Sequence, residues 1–528
     1  MNTAATFADE PRKLEWIGVT PRQLAGFIAM VFGMFMAILD IQIVSASLQE
    51  IQAGISASSD EIPWVQTAYL IAEVVMIPLS GFLARVFSTR TLFFTAAVGF
   101  TAASALCATA TTINEMIIYR AIQGFIGGGM IPSVFAVAFS LFPRSKQNIV
   151  SPIIGLVATL APTIGPTVGG YLTDTYSWHW LFLVNVGPGI LVATAVFFLV
   201  DFDKPNYALL DRFDYVGLLS MALFLGSLEY VLEEGPRYDW LDDQTIATFT
   251  VLTIIGAIIF FWRAATAADP IVELRAFKNR NFAFGSAFSF TLGIGLYGLT
   301  YVYPVYLGQV RGYDSLMIGQ TMFVTGIAMF MTAPISGRLA GTVDPRIMML
   351  IGFVGFALGT YIASYITPDW DFWELLVPQI LRGSSLMLCM VPITNLSLGT
   401  LPPDQMKNAS GLFNLTRNLG GAVGLAMINT ILNKRLDLHL ARLHEQVAWG
   451  HQVAEERLAM MQQNFANAMH SDGNMAALKK LAMMVRNQAN VLSFADLFLV
   501  LTLLFVVAGL FTLLMKKPAP VPAGVGGH

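Results

Sequence analysis

Long apolar stretches follow one another along almost the whole of this 528-residue chain. Each has the roughly 18 residues or more that a helix needs to cross a hydrocarbon core about 30 Å thick. They are continuous rather than alternating, which excludes a transmembrane β-barrel. Charged residues make up 12% of the sequence and hydrophobic residues 55%, where a soluble domain carries about 25% charge. The chain therefore reads as an all-α polytopic membrane protein.

Polar breaks divide it into about fourteen spans, near 24–48, 63–84, 91–110, 115–137, 148–172, 181–202, 214–233, 245–265, 283–308, 317–338, 346–367, 374–398, 409–430 and 494–515. With the N-terminus placed in the cytoplasm, eighteen of the thirty lysines and arginines fall inside, at 12, 13, 22, 85, 90, 144, 146, 204, 212, 263, 275, 278, 280, 338, 346, 407, 516 and 517. The short outside loops then hold only Arg237 and Arg311, a positive-inside pattern that puts both termini in the cytoplasm. The first 23 residues show no small-residue cleavage site after a short apolar core, so the first span is expected to stay in the mature chain.

Grouping the spans as six, two and six gives a cytoplasmic segment 1–23, a six-helix bundle 24–202 and two additional helices with a cytoplasmic linker, 203–282. A second six-helix bundle, 283–515, and a cytoplasmic tail, 516–528, complete the chain. Residues 431–493 read as two amphipathic helices around a turn at Ser471, Asp472 and Gly473, a hairpin standing off the outer face. Such a hairpin is either a docking surface for a partner protein or a solvated loop packed on its own bundle. Arg338, Asp344 and Arg346 follow the tenth span much as Arg85 and Arg90 follow the second, a trace of the internal duplication that two-bundle transporters show.

Catalysis finds no support. The chain has no Walker-type phosphate loop, so it is not by itself an ATP-driven pump, and it has no HExxH motif or nucleophile elbow. Cys107 and Cys389 fall in separate spans without metal-ligand spacing, so no disulfide, metal or cofactor is expected. No basic tail or patch suits nucleic acid.

The informative residues are the charged ones inside the spans, because each is costly there and tends to face a cavity or a partner. Asp40 stands alone in AILDIQIVSASL of the first span, and Glu73 lies equally deep in the second. A carboxyl in such surroundings can gain and lose a proton at physiological pH, or can be held by a buried arginine for packing alone. Either acid could also bind a cationic substrate. Arg120, Gln123 and Gly124 share one face of the fourth span, offering a fixed positive charge beside an amide. Glu229 in the seventh span is a third acid that could titrate, face substrate or sit at the interface. Tyr297 and Tyr301, with Tyr303 and Tyr306, could line an apolar cavity or belong to an aromatic belt. Gly165, Pro166, Gly169 and Gly170 in APTIGPTVGG of the fifth span allow two helices to approach closely and hinge. Gly81, Arg85 and Arg90 close the second span on the inside, where they can form a latch with acids or helix ends of neighbouring helices, or simply anchor the topology.

These segments resemble the major facilitator superfamily, and within it the fourteen-span drug:proton antiporters of the EmrB/QacA type, most closely the EmrB branch. Leu39-Asp40 with IQIVSASL is similar to the first-span signature, GFLARVFSTR to the loop after the second span, YRAIQGFIGGGMIP to the arginine motif of the fourth and LAPTIGPTVGGYL to the antiporter motif of the fifth. SWHWLFLVNVGPG, LRGSSLMLCMVP and LPPDQMKNASGLFNLTRNLGG extend the resemblance over nearly the whole chain. Gln49 stands where the family often has proline, and Ser88 where glycine is usual.

The resemblance implies a major facilitator fold and a proton-driven exporter of hydrophobic or amphipathic drug-like molecules in the bacterial inner membrane. It carries over Asp40 and Arg120 as coupling residues and Gly165, Pro166, Gly169 and Gly170 as the hinge, while the reading of the residues themselves adds Glu73 to proton coupling and Glu73, Gln123, Glu229, Tyr297 and Tyr301 as residues that would meet substrate. The hairpin resembles that of the EmrB branch, whose members work with a periplasmic membrane-fusion adaptor and a TolC-like outer-membrane channel. An exporter of one metabolite or fatty acid, and a membrane scaffold or sensor, are the alternatives.

Overall fold

The computed structural model describes residues 14, 17–58, 60–267, 269–447, 451–469 and 473–514. The expected tail 516–528, most of segment 1–23, and Ser471 and Asp472 of the expected turn lie outside the described residues. Among the described residues there is no strand. Among these residues thirteen helical stretches are long and apolar enough to cross a membrane.

The first bundle comprises α1 (Pro21–Ala46), the short α2 (Leu48–Ile55), α3 (Trp64–Phe87), α4 (Thr89–Cys107), α5 (Ile113–Gly127) with α6 (Met130–Leu141), α7 (Gln147–Thr175), and α8 (Trp180–Leu183) with α9 (Val186–Leu199). An additional pair follows, α10 (Tyr215–Glu234) and α11 (Gln244–Thr266). The second bundle comprises α12 (Arg280–Gly293) running through a π-helical turn into α13 (Leu299–Tyr306), then α14 (Ser315–Thr342), α15 (Pro345–Ala363), α16 (Phe372–Leu398) and α17 (Met406–Gln446), with α18 (Gln452–Met469) and α19 (Asn474–Phe511) last. Local sequence starts many of these helices. Thr20 with Gln23, Thr112 with Glu115 and Asp371 with Glu374 form reciprocal capping boxes, satisfying amide donors that a helix start otherwise leaves open.

Three features depart from expectation. The span near 115–137 is two helices, interrupted at Gly128 and Gly129. The span near 283–308 holds π-helical turns at Ile294–Gly298 and Leu307–Arg311. The region 431–493 holds three helical segments rather than the expected two, with the expected turn falling between the last two. Its arms are unbroken continuations of α17 and α19, and α18 is a third helix packed on α19. No glycine or proline interrupts 425–446, so nothing stops α17 at the edge of the apolar stretch, and helix propagation costs little once begun. His439 Nε2 meets Asp496 Oδ2 at 2.8 Å and Arg435 reaches the same carboxylate at 3.5 Å, tying the two long helices together.

Glycines set the closest helix contacts. A Cβ on Gly124 would lie 2.3 Å from the Tyr69 carbonyl oxygen, so α3 rests directly on the backbone of α5. A Cβ on Gly165 would lie 2.4 Å from Gln42 Cβ, and one on Gly169 2.9 Å from the Ile43 oxygen, bringing α7 against α1. The second bundle repeats this at its own first and fifth helices, where a Cβ on Gly420 would lie 2.0 Å from the Phe290 oxygen. Between bundles, α7 packs on α14 along its length, from Gly337 beside Asn148 to Gly319 beside Thr167. By contrast α3 and α17 meet closely near one end, through Gly81 against Lys407 and Gly411 against Ile77. Both described termini lie at that end, since Gly18 sits beside Pro143 and Arg280 donates to the Leu514 carbonyl. We call it the terminal face. At the side α10 packs against α3 and α17 and carries α11 on its own flank, and α11 turns Ile254, Ile258, Phe261 and Trp262 outward, as a lipid-facing helix should.

Candidate functional site

Asp40 of α1 and Arg120 of α5 meet in the core of the first bundle, with Arg120 Nη1 2.7 Å from Asp40 Oδ2 and both side chains fully buried. Gln123 donates to Asp40 Oδ1 at 3.2 Å and accepts from Arg120 Nη1 at 2.7 Å. Asn185, at the start of α9, donates to Asp40 Oδ1 at 2.7 Å and to Ser104 at 3.2 Å. Arg120 Nε donates to the Val65 carbonyl at 3.2 Å, and its guanidinium lies 4.2 Å over the Tyr69 ring. Gly124 makes this reach possible by letting α3 approach. Helices α1, α5 and α9 thus meet at one carboxylate, with α3 and α4 tied in through Arg120 and Asn185; the carboxylate has its charge matched and accepts three hydrogen bonds, the condition under which a buried ion pair is tolerated.

A cavity of about 860 Å³ lies beside this network, between α1, α3, α10, the α12–α13 region and α17. Glu73, Glu229, Tyr297 and Tyr301 line it, as expected. Gln123 does not. Its amide is turned into the Asp40–Arg120 network, because both partners are in reach and an unpaired amide in that core would be costly. Glu50 and Glu233 add two further carboxyls nearer the face opposite the termini, and no lysine or arginine is among the lining residues. Pro166 and Gln42 form part of the wall at the α1–α7 contact. The π-helical turns bring Tyr297 and Gly308 into the same wall as Thr300, Tyr301 and Pro304, a use of irregular helix common at functional sites. A second cavity of about 700 Å³ begins at Tyr301, Val305 and Asn429 and continues between the extended parts of α17 and α19. The hydrogen bond from Tyr301 to Asn429, 2.8 Å, stands between the two.

At the terminal face the bundles are tied by charge. Arg85 pairs with Glu273 at 2.7 Å, and Asn408 both donates to the Glu273 carbonyl at 2.7 Å and accepts from its amide at 3.2 Å. Lys407 pairs with Asp203 and donates to the Ala84 carbonyl at 3.0 Å, while Asp203 also accepts from the Thr89 amide at 3.0 Å. The cluster joins the ends of α3 and α17 to both segments flanking the additional pair. Gly81 and Arg85 belong to it. Arg90 does not; its guanidinium lies 4.8 Å over the Phe197 ring. Sequence reading missed Asn185, Asp203, Glu273 and Lys407. Lone polar residues in loops or at helix starts carry no local pattern that names their partners.

Residues 30–425 match the profile of the Major Facilitator Superfamily. The chain is 41% identical over 503 residues to the colistin resistance protein EmrB of Acinetobacter baumannii, covering 95% of this chain and 98% of that protein. It is 31% identical over 422 residues to the multidrug export protein EmrB of Escherichia coli K12, covering 80% and 82%. The crystal structure of the human organic anion transporter MFSD10 superposes with a TM-score of 0.58 at 13% identity, covering 92% of this chain and all of that one, which is a likeness of fold. Two helical bundles around a central cavity, matched over most of the chain in sequence and in fold, make this protein a multi-pass membrane transporter of the major facilitator superfamily, in its EmrB branch.

Proposed function

We propose that the protein is a proton-driven multidrug efflux antiporter of the bacterial inner membrane that works by alternating access. The observation that carries the reading is the cavity of about 860 Å³ between the bundles, holding four carboxyl side chains and no basic one, with the charged cluster closing the terminal face below it. With the terminal face in the cytoplasm, as the basic residues predict, this is the conformation that gives substrate up on the far side. Cationic and neutral amphiphiles suit the lining. A carboxylate-bearing cargo would meet only like charge, which weighs against a fatty-acid exporter.

Coupling follows from competition for one site. Glu73 lines the cavity, so a proton entering from outside and a bound cation exclude each other there. Asp40 is sealed by three donors and serves to fix Arg120 and the packing of α1, α3, α5 and α9. Protonation drives the cycle only if it changes the relative stability of the two orientations. The pumped molecule would leave past the Tyr301–Asn429 contact into the cavity between α17 and α19. Their extended ends, with α18, form the natural seat for a periplasmic adaptor and, through it, a TolC-like channel. The test is substrate-induced proton release from purified protein in proteoliposomes, screened with cationic, neutral and anionic amphiphiles. Release is expected with cationic compounds and is expected to vanish in Glu73→Gln. Efflux that continues unchanged after the pH and voltage differences are collapsed would refute the reading.

A further inference from the structure

Arg417 of α17 is a buried arginine at the α3–α17 side of the cavity that this conformation supplies with no carboxylate. It is 2% exposed. Its Nη2 donates to Asn414 Oδ1 at 2.6 Å and its guanidinium lies 5.2 Å over the Phe135 ring of α6. That leaves Nε and Nη1 with no acceptor. An arginine at this depth ordinarily pairs with an acid, and here none reaches it.

The register of α3 against α17 identifies the missing acid. The helices run antiparallel, with Gly81 beside Lys407 and Gly411 beside Ile77 and Pro78. Continuing that pairing away from the terminal face sets Arg417 within about two residues of Glu73, roughly 3 Å along the axis at 1.5 Å per residue. Between them the helices part around the cavity, which Glu73 and Asn418 both line. The charged or titratable groups facing Glu73 are Asp40 on α1, Tyr69 on α3 itself, Arg120 on α5, Glu229 on α10, Tyr297 on the π-helical turn and Arg417 on α17. Two are cations. Arg120 is committed to Asp40, and Arg417 is committed to no carboxylate.

We propose that Arg417 is the counter-charge that receives Glu73 when the cavity closes, forming an ion pair across the bundle interface only in the conformation open at the terminal face. Rocking about the α7–α14 contact brings the parted halves of α3 and α17 together. The Glu73 carboxyl then gives its proton to water on the terminal side, and the carboxylate takes up the free Nη1 and Nε donors. A guanidinium nearby favours the charged carboxylate, so the pair expels the proton where the gradient needs it expelled, and a substrate cation that later displaces Arg417 from Glu73 restores the conformation described here. This rests on the antiporter reading above.

The test uses the full-length protein in proteoliposomes. Arg417→Gln should exchange substrate down its gradient yet lose proton-driven accumulation, with the pH midpoint of substrate-induced proton release moved upward by about one unit, a tenfold change in proton affinity. Arg417→Lys, which keeps the charge, should retain coupling. The Glu73→Cys/Arg417→Cys pair removes both charges together and so leaves neither buried alone. Its crosslinking yield should rise severalfold when Lys407→Ala weakens the terminal-face cluster. A coupled parent protein whose Arg417→Gln variant keeps the parental midpoint, or a cysteine pair whose yield is indifferent to Lys407→Ala, overturns the inference while leaving the antiporter reading intact. A parent protein that releases no protons on substrate addition overturns both.

Discussion

Ser88 holds φ +76° and ψ 156°, a backbone region open essentially to glycine and costing another residue about 1–3 kcal/mol. The sequence resemblance marks the same position as one where glycine is usual. Serine compensates in part by capping α4, its oxygen accepting from the Thr91 amide at 3.4 Å, a cap whose loss to glycine costs only a few tenths of a kcal/mol. Ser88→Gly should therefore stabilise the protein by about 1 kcal/mol, read as a small rise in the detergent melting temperature with transport retained. Asn185 is a residue whose weight lies in its partner. Asn185→Ala removes a 2.7 Å bond to a buried carboxylate, a loss of about 1.5–3 kcal/mol, and melting should fall accordingly, with Asp40→Asn in the same background recovering part of it because the neutral amide needs less support.

Among the elements, the decisive contacts are those where two backbones touch. Gly124→Ala would place a Cβ 2.3 Å from the Tyr69 carbonyl oxygen, and a helix backbone cannot yield as a side chain would. Overpacking of this kind costs about 1–3 kcal/mol, and displacement of α3 would also pull Val65 from Arg120. Efflux in Gly124→Ala should fall severalfold even where the variant reaches the membrane in normal amount, as membrane-fraction immunoblots with dye-efflux rates would reveal. Gly165→Ala meets Gln42 Cβ at 2.4 Å, an atom fixed to its own backbone, so α1 would have to part from α7 there and a comparable loss is expected. Wild-type efflux from Gly124→Ala would show that the α3–α5 contact is not limiting.

For the whole molecule, the balance between conformations depends on the cluster at the terminal face. The Arg85–Glu273 and Lys407–Asp203 pairs are each about a quarter exposed, so each contributes at most about 1 kcal/mol, roughly a fivefold shift in a two-state equilibrium. Lys407→Ala should raise the labelling rate of a cysteine placed at Asn148 by about that factor when maleimide is supplied on the side of the terminal face. An unchanged rate would mean that the α7–α14 and α7–α16 contacts, including Ser151 with Asn395, hold that face shut without it. The two bundles also match in design. Glycines bring the first and fifth helices of each together, and Arg382 on the fourth helix of the second bundle stands where Arg120 stands in the first. Arg382 finds only the Thr300 hydroxyl, so the acid–arginine pair of the first bundle has no copy in the second.

How much the sequence revealed follows the range of the forces involved. Apolar length, basic residues at span ends, capping boxes and small-residue spacing act over a few turns, and from them the all-α architecture, the two bundles, and Asp40, Glu73 and Arg120 as the embedded charges could be read directly. Tertiary packing decided the rest. It turned Gln123 away from the cavity, brought Asn185, Asp203 and Lys407 to their partners across 80 residues or more, and left Arg417 without a carboxylate. It also joined the outer arms to α17 and α19. A hydrogen bond or ion pair is worth little until packing has already placed both ends and excluded water, and which ends meet is a property of how whole helices lie against one another.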